Sequence, residues 1–500
     1  MVRRLDLTAL GRTHNAQWFD GGADASHLFA GRKSFRKIVV MIDAELIDDH
    51  RGHVPASKRQ LLSGLLHHDL VRLYRYADDG PSPDVPVLRG IPGLYEGWAV
   101  VSGNPERQAR QVIYESSARG YSVGRVWGNA VDVAEHDVDT DVYRDLGSEE
   151  AAVRRRYDVL AAMVAAQALE ADLYVTERAY LHAAPWNPAR GVTVCTIADA
   201  LAILGLYLRA QGEHPVALRH NFNRGLFFWV GTRELLPEAW RWFGACVQYG
   251  IGSDDDSLDI LAGSLLQRVQ RALEARDAVH LALNRPQNND TQQNALSHLD
   301  TVLVFLMAAI DVAARVAHRV LVLPTEDEFG AGWQKTWKGG WLEQVRARQS
   351  ALADVVRPGS AGSDVLTIVR LLRNSVHGAA LQGTALIAGA TPMQTLVGLP
   401  ASDEASLLVC MESLGGSSTW GVRHAESYHV LMDPGVFVDR LFSEVLALLN
   451  QLMANTPVER LPHVLLSSTD CVPSAVAGCG PFVDLFAVWI RRSIRWQLGF

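Results

Sequence analysis

Cysteine is scarce in this chain, with five among 500 residues. Cys195, Cys246, Cys410, Cys471 and Cys479 are dispersed, odd in number and free of any C-x-x-C spacing, which argues against an oxidising compartment and for a reducing cytoplasm. Long apolar runs are also missing. The N-terminus MVRRLDLTALGRT has no apolar core of the kind a secretory signal needs. The most apolar stretch, Thr301–Leu323, carries Asp311, Arg315, His318 and Arg319, charges too costly for lipid, so it reads as a buried helix and no membrane span is expected. Positive charge is outweighed, 47 Lys and Arg against 55 Asp and Glu for a net charge of -8, which excludes a generally basic protein that coats nucleic acid. Local arginine clusters can still guide a polyanion. The chain has no GxxxxGK[ST] loop, no complete GxGxxG and no HExxH, so nucleotide-driven motors and zinc proteases lose their main support. Internal repeats and low-complexity tracts are absent too.

What is present is apolar material for more than one core, 48% of the residues. After an N-terminal arm over 1–34, short apolar strands (IVVMI, YSVGRVW, DLYVTE) alternate with helical stretches (SKRQLLSGLLHHDLVRLYRYA, NPERQARQVIYESSA, EEAAVRRRYDVLAAMVAAQALEA), the pattern of βαβ units on a mainly parallel sheet. This α/β domain is expected over 35–212, closed by a helix at Ile197–Ala210. Helical periodicity then takes over. A helical connector is expected over 213–290, an all-α bundle over 291–455 with one hairpin at Thr419–Met432, and a C-terminal extension over 456–500 with an amphipathic end, FAVWIRRSIRWQLGF.

Carboxylates gather where a parallel sheet places its ligands. The run KIVVMIDAELID delivers Asp43 and Glu45 at the C-terminal end of a strand, two residues apart and on one face if the strand continues, with Asp48 and Asp49 behind them. Asp158 opens a small-residue helix, while Asp172 and Glu177 flank the strand LYVT. Converging on Asp43, these oxygens would suit Mg²⁺ or Mn²⁺, which activates water and neutralises charge on a phosphodiester. The competing reading is ordinary strand-end and helix-cap acids. The stretch resembles the PIN-like nuclease family, in which a first strand ends in aspartate and a later unit reads D-x-x-A-A, then A-D-hydrophobic-x-V-T-x-D. Asp158, Ala161 and Ala162, then Asp172, Val175 and Thr176, match it. Arg178 stands where the family has its last aspartate, so that acid is displaced to Glu177 or absent. For the family's middle acid, Glu115 is the choice, with Glu96 and Asp132 as alternatives. The resemblance implies a metal-dependent ribonuclease.

A second cluster lies within LTIVRLLRNSVHGAAL. Arg370, Arg373, Asn374 and His377 share one helix face, with Ile368, Leu371, Leu372 and Val376 opposite. Imidazole and guanidinium together can cleave RNA without metal, one moving the proton and the other holding the phosphate. The bland alternative is a solvated face ending in a histidine favoured by the helix C-terminus. The segment looks like the HEPN superfamily, whose R-x(4–6)-H helix forms a ribonuclease site across a dimer. The preceding helix, HLDTVLVFLMAAIDVAARVAHRVL, is similar to that family's first helix. Arg370 has the family interval to His377, whereas the Arg373–Asn374 pair sits too close to it, so which arginine would act stays open.

Other signals weigh less. Gly120–Gly124 spells G-x-S-x-G but leads into a strand, the reverse of a nucleophile elbow. His136, Asp137, Asp139 and Asp141 read as a solvated loop, and His67, His68 and Asp69 as helix surface. Trp333, Trp337 and Trp341 read as core packing before an RNA-stacking stripe. The combined expectation is an α/β then all-α RNA endonuclease, homodimeric, with a defence or toxin-type role implied by the two resemblances and a partner or antitoxin protein implied with it. The alternative is a catalytically inactive RNA- or protein-binding dimeric module.

Overall fold

The computed structural model describes residues 37–47, 55–77, 96–102, 111–116, 122–127, 157–159, 161–182, 192–217, 220–285, 287–333, 340–376, 380–386, 394–424, 430–466 and 488–500. The chain divides into two compact units, one holding 62–186 and 190–197 with the residues before 55, the other holding 198–500 with 55–61 and 187–189.

The first unit is built on a seven-stranded sheet: β1 (Ile38–Asp43), β2 (Val71–Ala77), β3 (Glu96–Ser102), β4 (Gln111–Ser116), β5 (Ser122–Trp127), β6 (Leu173–Val175) and β7 (Thr193–Cys195), in the order β5-β4-β3-β2-β1-β6-β7. β3, β2, β1, β6 and β7 run parallel, and β4 and β5 add an antiparallel edge. β1 is central, paired with β2 and β6, and its IVVMID sequence is buried apart from a half-buried Val39. A β-branched apolar run suits a strand flanked by neighbours and covered on both faces. Val159, Ala161, Ala162, Val164 and Ala165, all fully buried, pack with Met41 and Tyr174 in this unit's core. Helical geometry there loosens into a π-turn at Val164–Ala168, where Leu169 donates to the Val164 carbonyl at 3.1 Å.

Two expected helices are corrected. The stretch SKRQLLSGLLHHDLVRLYRYA is helical only as α1 (Ala56–Leu66), and its second half is β2. VRLYRYA, with three β-branched or aromatic residues, is a better strand than helix, and β1 is its partner over six residues. The segment around Glu115, expected as helix, is β4, whose QVIYES pairs with SVGRVW from Gln111↔Trp127 to Ser116↔Ser122. Six residues of β4 are in register with six of β5, and this ladder outweighs the moderate helix propensity of the segment.

The second unit is mostly helical. It contains α2 (Ile197–Ala210, from its second residue), α3 (Arg224–Leu235), α4 (Glu238–Ser253), α5 (Ser257–Leu283), α6 (Asn289–Val320), α7 (Trp341–Arg348), α8 (Ala361–Ser375), α9 (Glu404–Ser413), α10 (Pro434–Asn455) and α11 (Val488–Gln497). The long pair α5 and α6, 27 and 32 residues, is its spine. Asn288 starts α6 with a capping box shared with Thr291. Leu265, Val269 and Leu273 of α5 share one core with Leu299, Val302, Leu306 and Ile310 of α6, so residues expected as a connector are core residues. The all-helical expectation also needs an addition: β8 (Gly383–Leu386), β9 (Gln394–Gly398), β10 (Val422–His424) and β11 (Val430–Met432) form an antiparallel sheet ordered β8-β9-β11-β10, and β10–β11 is the expected hairpin. Trp333 and Trp341 are buried edge-to-face at 5.1 Å, as core packing requires. Trp337 lies outside the described residues.

The division falls at Ile197, not at Gly212, because α2 is tied into the second unit. Arg209 donates to both oxygens of Asp277 at 2.6 and 3.0 Å and to the Gln497 carbonyl at 2.9 Å. The chain's last helix is part of the same core. Ile490, Ile494 and Leu498 are buried, and Gln497 donates to the Pro215 carbonyl at 2.7 Å.

Candidate functional site

In an open parallel sheet the crevice lies beyond the carboxyl ends of the strands, where the connections change direction. That point here is between β1 and β6: the chain moves from β1 to β2 and β3 on one side, then returns to β6 and β7 on the other. Asp43 ends β1 and Thr176 follows β6, so the topology brings them together although 133 residues separate them.

Asp43 is 2% exposed and fully engaged. Its Oδ1 accepts from the Tyr174 hydroxyl at 2.7 Å, and its Oδ2 accepts from the Thr176 hydroxyl at 2.5 Å and from Arg178 Nε at 3.1 Å. Tyr174 and Thr176 are two apart on an extended segment, so the period of two presents both to the same carboxylate. Arg178 then reaches Asp158 with Nη1 at 2.8 Å, Asp158 being 5% exposed. The guanidinium also stands over the Tyr76 ring at 5.6 Å from its centre, and Tyr76 meets Tyr174 edge-to-face at 6.4 Å. Burial, and then the negative charge of Asp43, raise the Tyr174 hydroxyl well above its ordinary value, so it stays a hydrogen-bond donor.

The other expected ligands go elsewhere. Asp172 is on β6's entry, where its Oδ2 accepts from the Val39 backbone N–H at 2.9 Å while its own N–H donates to the Val39 carbonyl at 2.8 Å. It therefore extends the β1–β6 ladder by one rung. Glu177 accepts from the Ile197 backbone N–H at 3.0 Å, capping the start of α2. Glu45 is exposed, because β1 stops at Asp43 and Ala44–Ile47 turns into a helical turn, which removes the shared strand face. Glu115 lies on β4, and Glu96 begins β3. Asp48, Asp49, Asp132 and the His136–Asp141 group lie outside the described residues.

The donor set does not fit Mg²⁺ or Mn²⁺. A hard cation needs open carboxylate oxygens, whereas both oxygens of Asp43 already accept hydrogen bonds and the charge that links Asp43 to Asp158 is the Arg178 guanidinium. Among the described residues, no group of three or more His, Cys, Asp or Glu side chains is placed to hold a metal ion. Sequence reasoning flagged Arg178 as a departure but missed its role. The signal available was the Tyr174–Thr176–Arg178 alternation, donor residues facing a carboxylate.

On α8, Arg370 and Asn374 are exposed and Arg373 is half-buried, while Ile368, Val369 and Leu372 are buried on the other side. The helix ends at Ser375, and His377 lies outside the described residues. A cavity of about 370 Å³ in the second unit is lined by Tyr249, Ser257, His318, Arg319, Thr325 and Glu328 among others and contains neither residue set. Cys195, Cys246 and Cys410 are buried thiols outside any disulfide, and burial lifts Cys246 to about 12, far from a reactive thiolate. No helix among the described residues is long and apolar enough to cross a membrane.

No protein-family model, curated protein or solved structure matches the chain. What fold and site define is a parallel-sheet α/β unit with an arginine-neutralised carboxylate pair, followed by a mostly helical unit.

Proposed function

We propose that the chain is a catalytically inactive, dimeric RNA-binding module whose α/β unit keeps a PIN-like acidic cleft with Arg178 in the place of a metal ion. The observation that carries this reading is the Arg178 bridge, 3.1 Å to Asp43 and 2.8 Å to Asp158. A guanidinium gives the two carboxylates a fixed counter-charge but cannot lower the pKa of a bound water, the service a catalytic divalent ion performs. RNA as the partner comes from the two family resemblances. The test is a mixed pool of single-stranded and structured RNA incubated with the full chain in Mn²⁺ and in EDTA, with binding followed in parallel. The reading expects binding and intact RNA under both conditions. Cutting that disappears in EDTA would return the chemistry to the Asp43 cluster.

A second reading, a metal-free ribonuclease at Arg370, Arg373, Asn374 and His377, is favoured by the exposure of Arg370 and Asn374 on one face of α8. It expects cutting that survives EDTA and is lost in His377→Ala.

A further inference from the structure

The chain is acidic overall, yet α11 concentrates cations. Within VWIRRSIRWQ, Ile490, Ser493, Ile494 and Gln497 are buried at the spacing of one helix face. The opposite face carries Trp489, 50% exposed, with exposed Arg492 and Arg495 and a partly exposed Trp496. Arg491 pairs with Glu234 at 3.4 Å, and Lys58 of the same unit places its Nζ 5.5 Å from the centre of the Trp496 ring. Burial raises the Glu234 pKa, and Arg491, Arg495 and Arg492 pull it back, so this largely shielded carboxylate lies in the field of all three arginines. Four cations and one carboxylate leave an excess of three positive charges, in a chain whose formal net charge is -8. Trp489 and Trp496 are seven residues apart, two helical turns, about 10 Å along the axis.

We infer that the exposed face of α11, Trp489, Arg492, Arg495 and Trp496 with Lys58, is a docking strip for single-stranded RNA. This deepens the RNA-binding reading given above and rests on it. Aromatic rings interleaved with cations suit a single strand, because every base has a face to stack on and every phosphate a charge to neutralise, without sequence preference. An acidic peptide would use the arginines but leave the tryptophans idle. An anionic lipid surface would need an apolar face to insert, and the apolar face of α11, Ile490 and Ile494, is consumed by the core.

The test titrates the full chain with a fluorescent oligouridylate over a range of salt, beside vesicles of anionic phospholipid. The variants are Arg492→Glu with Arg495→Glu, and Trp489→Ala, all at exposed positions, with thermal melts to confirm folding. The charge reversal is expected to weaken binding at least tenfold and to reduce the magnitude of the salt slope by about 1.4, two phosphates at about 0.7 each for a single strand. Trp489→Ala is expected to weaken it about tenfold through lost stacking. Wild-type binding that neither variant changes would overturn the strip and leave the RNA-binding reading standing. An absence of oligouridylate binding by the wild type would overturn both. Arginine dependence without tryptophan dependence, or vesicle binding as tight as oligouridylate binding, would overturn the single-strand assignment.

Discussion

Arg178 donates through Nε to Asp43 at 3.1 Å, across the point where the parallel sheet changes direction, and its other arm holds Asp158 at 2.8 Å. All three side chains are largely shielded, at 14%, 3% and 7% exposure for Arg178, Asp43 and Asp158. Removing one partner of a buried ion pair leaves the others desolvated without compensation, which costs about 3–5 kcal/mol.

Arg178→Ala is therefore expected to lower the stability of the α/β unit by about that amount, read as a fall in the denaturation midpoint. Arg178→Lys should recover only part of it, since a lysine ammonium cannot reproduce the two-armed geometry. Replacing Asp43 and Asp158 by Asn together with Arg178→Leu should cost less than Arg178→Ala alone. An Arg178→Ala protein as stable as wild type would contradict the bridge.

A histidine in the helical unit gives a pH dependence of known sign. Trp341 Nε1–H donates to His318 Nδ1 at 3.0 Å, so the ring is neutral and carries its proton on Nε2. Burial lowers the His318 pKa below its ordinary value of 6.5, against the opposing pull of Glu328 and Asp327. The unfolded chain takes up a proton near pH 6.5 and the folded chain does not, so stability falls as pH drops below about 6.5 and levels off below the folded pKa. Melting from about pH 8 to about pH 5 should show a shallower decline in His318→Gln than in wild type. Parallel declines would contradict this assignment.

Val322 holds a left-handed backbone, φ 52°, just past the end of α6. The Val322 N–H donates to the Arg319 carbonyl and the Leu323 N–H to the His318 carbonyl, at 3.0 and 3.1 Å, the pair of bonds that closes a helix with glycine at this position. Val322 is 77% exposed, so little packing offsets the strain of a β-branched residue there. Val322→Gly is expected to stabilise the helical unit by about 1 kcal/mol, seen as a higher melting temperature. A lower one would show that the valine side chain makes contacts worth more than the backbone strain.

At Gly205 the opposite is expected. A Cβ there would lie 2.8 Å from the Gln497 Cβ and 2.9 Å from its carbonyl oxygen, closer than real atoms approach. Gly205→Ala should destabilise the unit by about 1–3 kcal/mol and loosen α11, exposing its arginines to trypsin. Unchanged tryptic protection would contradict the close packing of α2 on α11.

The parts of the fold legible in the sequence are those where one signal dominates. The β-branched run at β1, the LYV of β6 and the 3.6-residue periodicity of α6, α8 and α10 each have a single reading. β2 and β4 are not legible in this way, because VRLYRYA continues a stretch that begins as α1 and QVIYES follows one of moderate helix propensity, so the strand is settled only by its ladder partners. The acidic cleft is half legible. Asp43 and Asp158 converge as their positions suggest, but Asp172 and Glu177 are spent on backbone N–H groups, a local choice that spacing alone does not reveal. Arg178 stands out as a departure, yet its bridging depends on the β1–β6 register.

Arg178 supplies the counter-charge between Asp43 and Asp158, and divalent-ion binding to the full chain tests whether it stands in for a metal ion there. Calorimetric titration with Mn²⁺ should show no site in the wild-type protein that depends on Asp43, and Arg178→Ala should gain affinity for Mn²⁺ together with a Mn²⁺-dependent rise in melting temperature. Stoichiometric Mn²⁺ binding by the wild type that is abolished by Asp43→Asn would contradict the account.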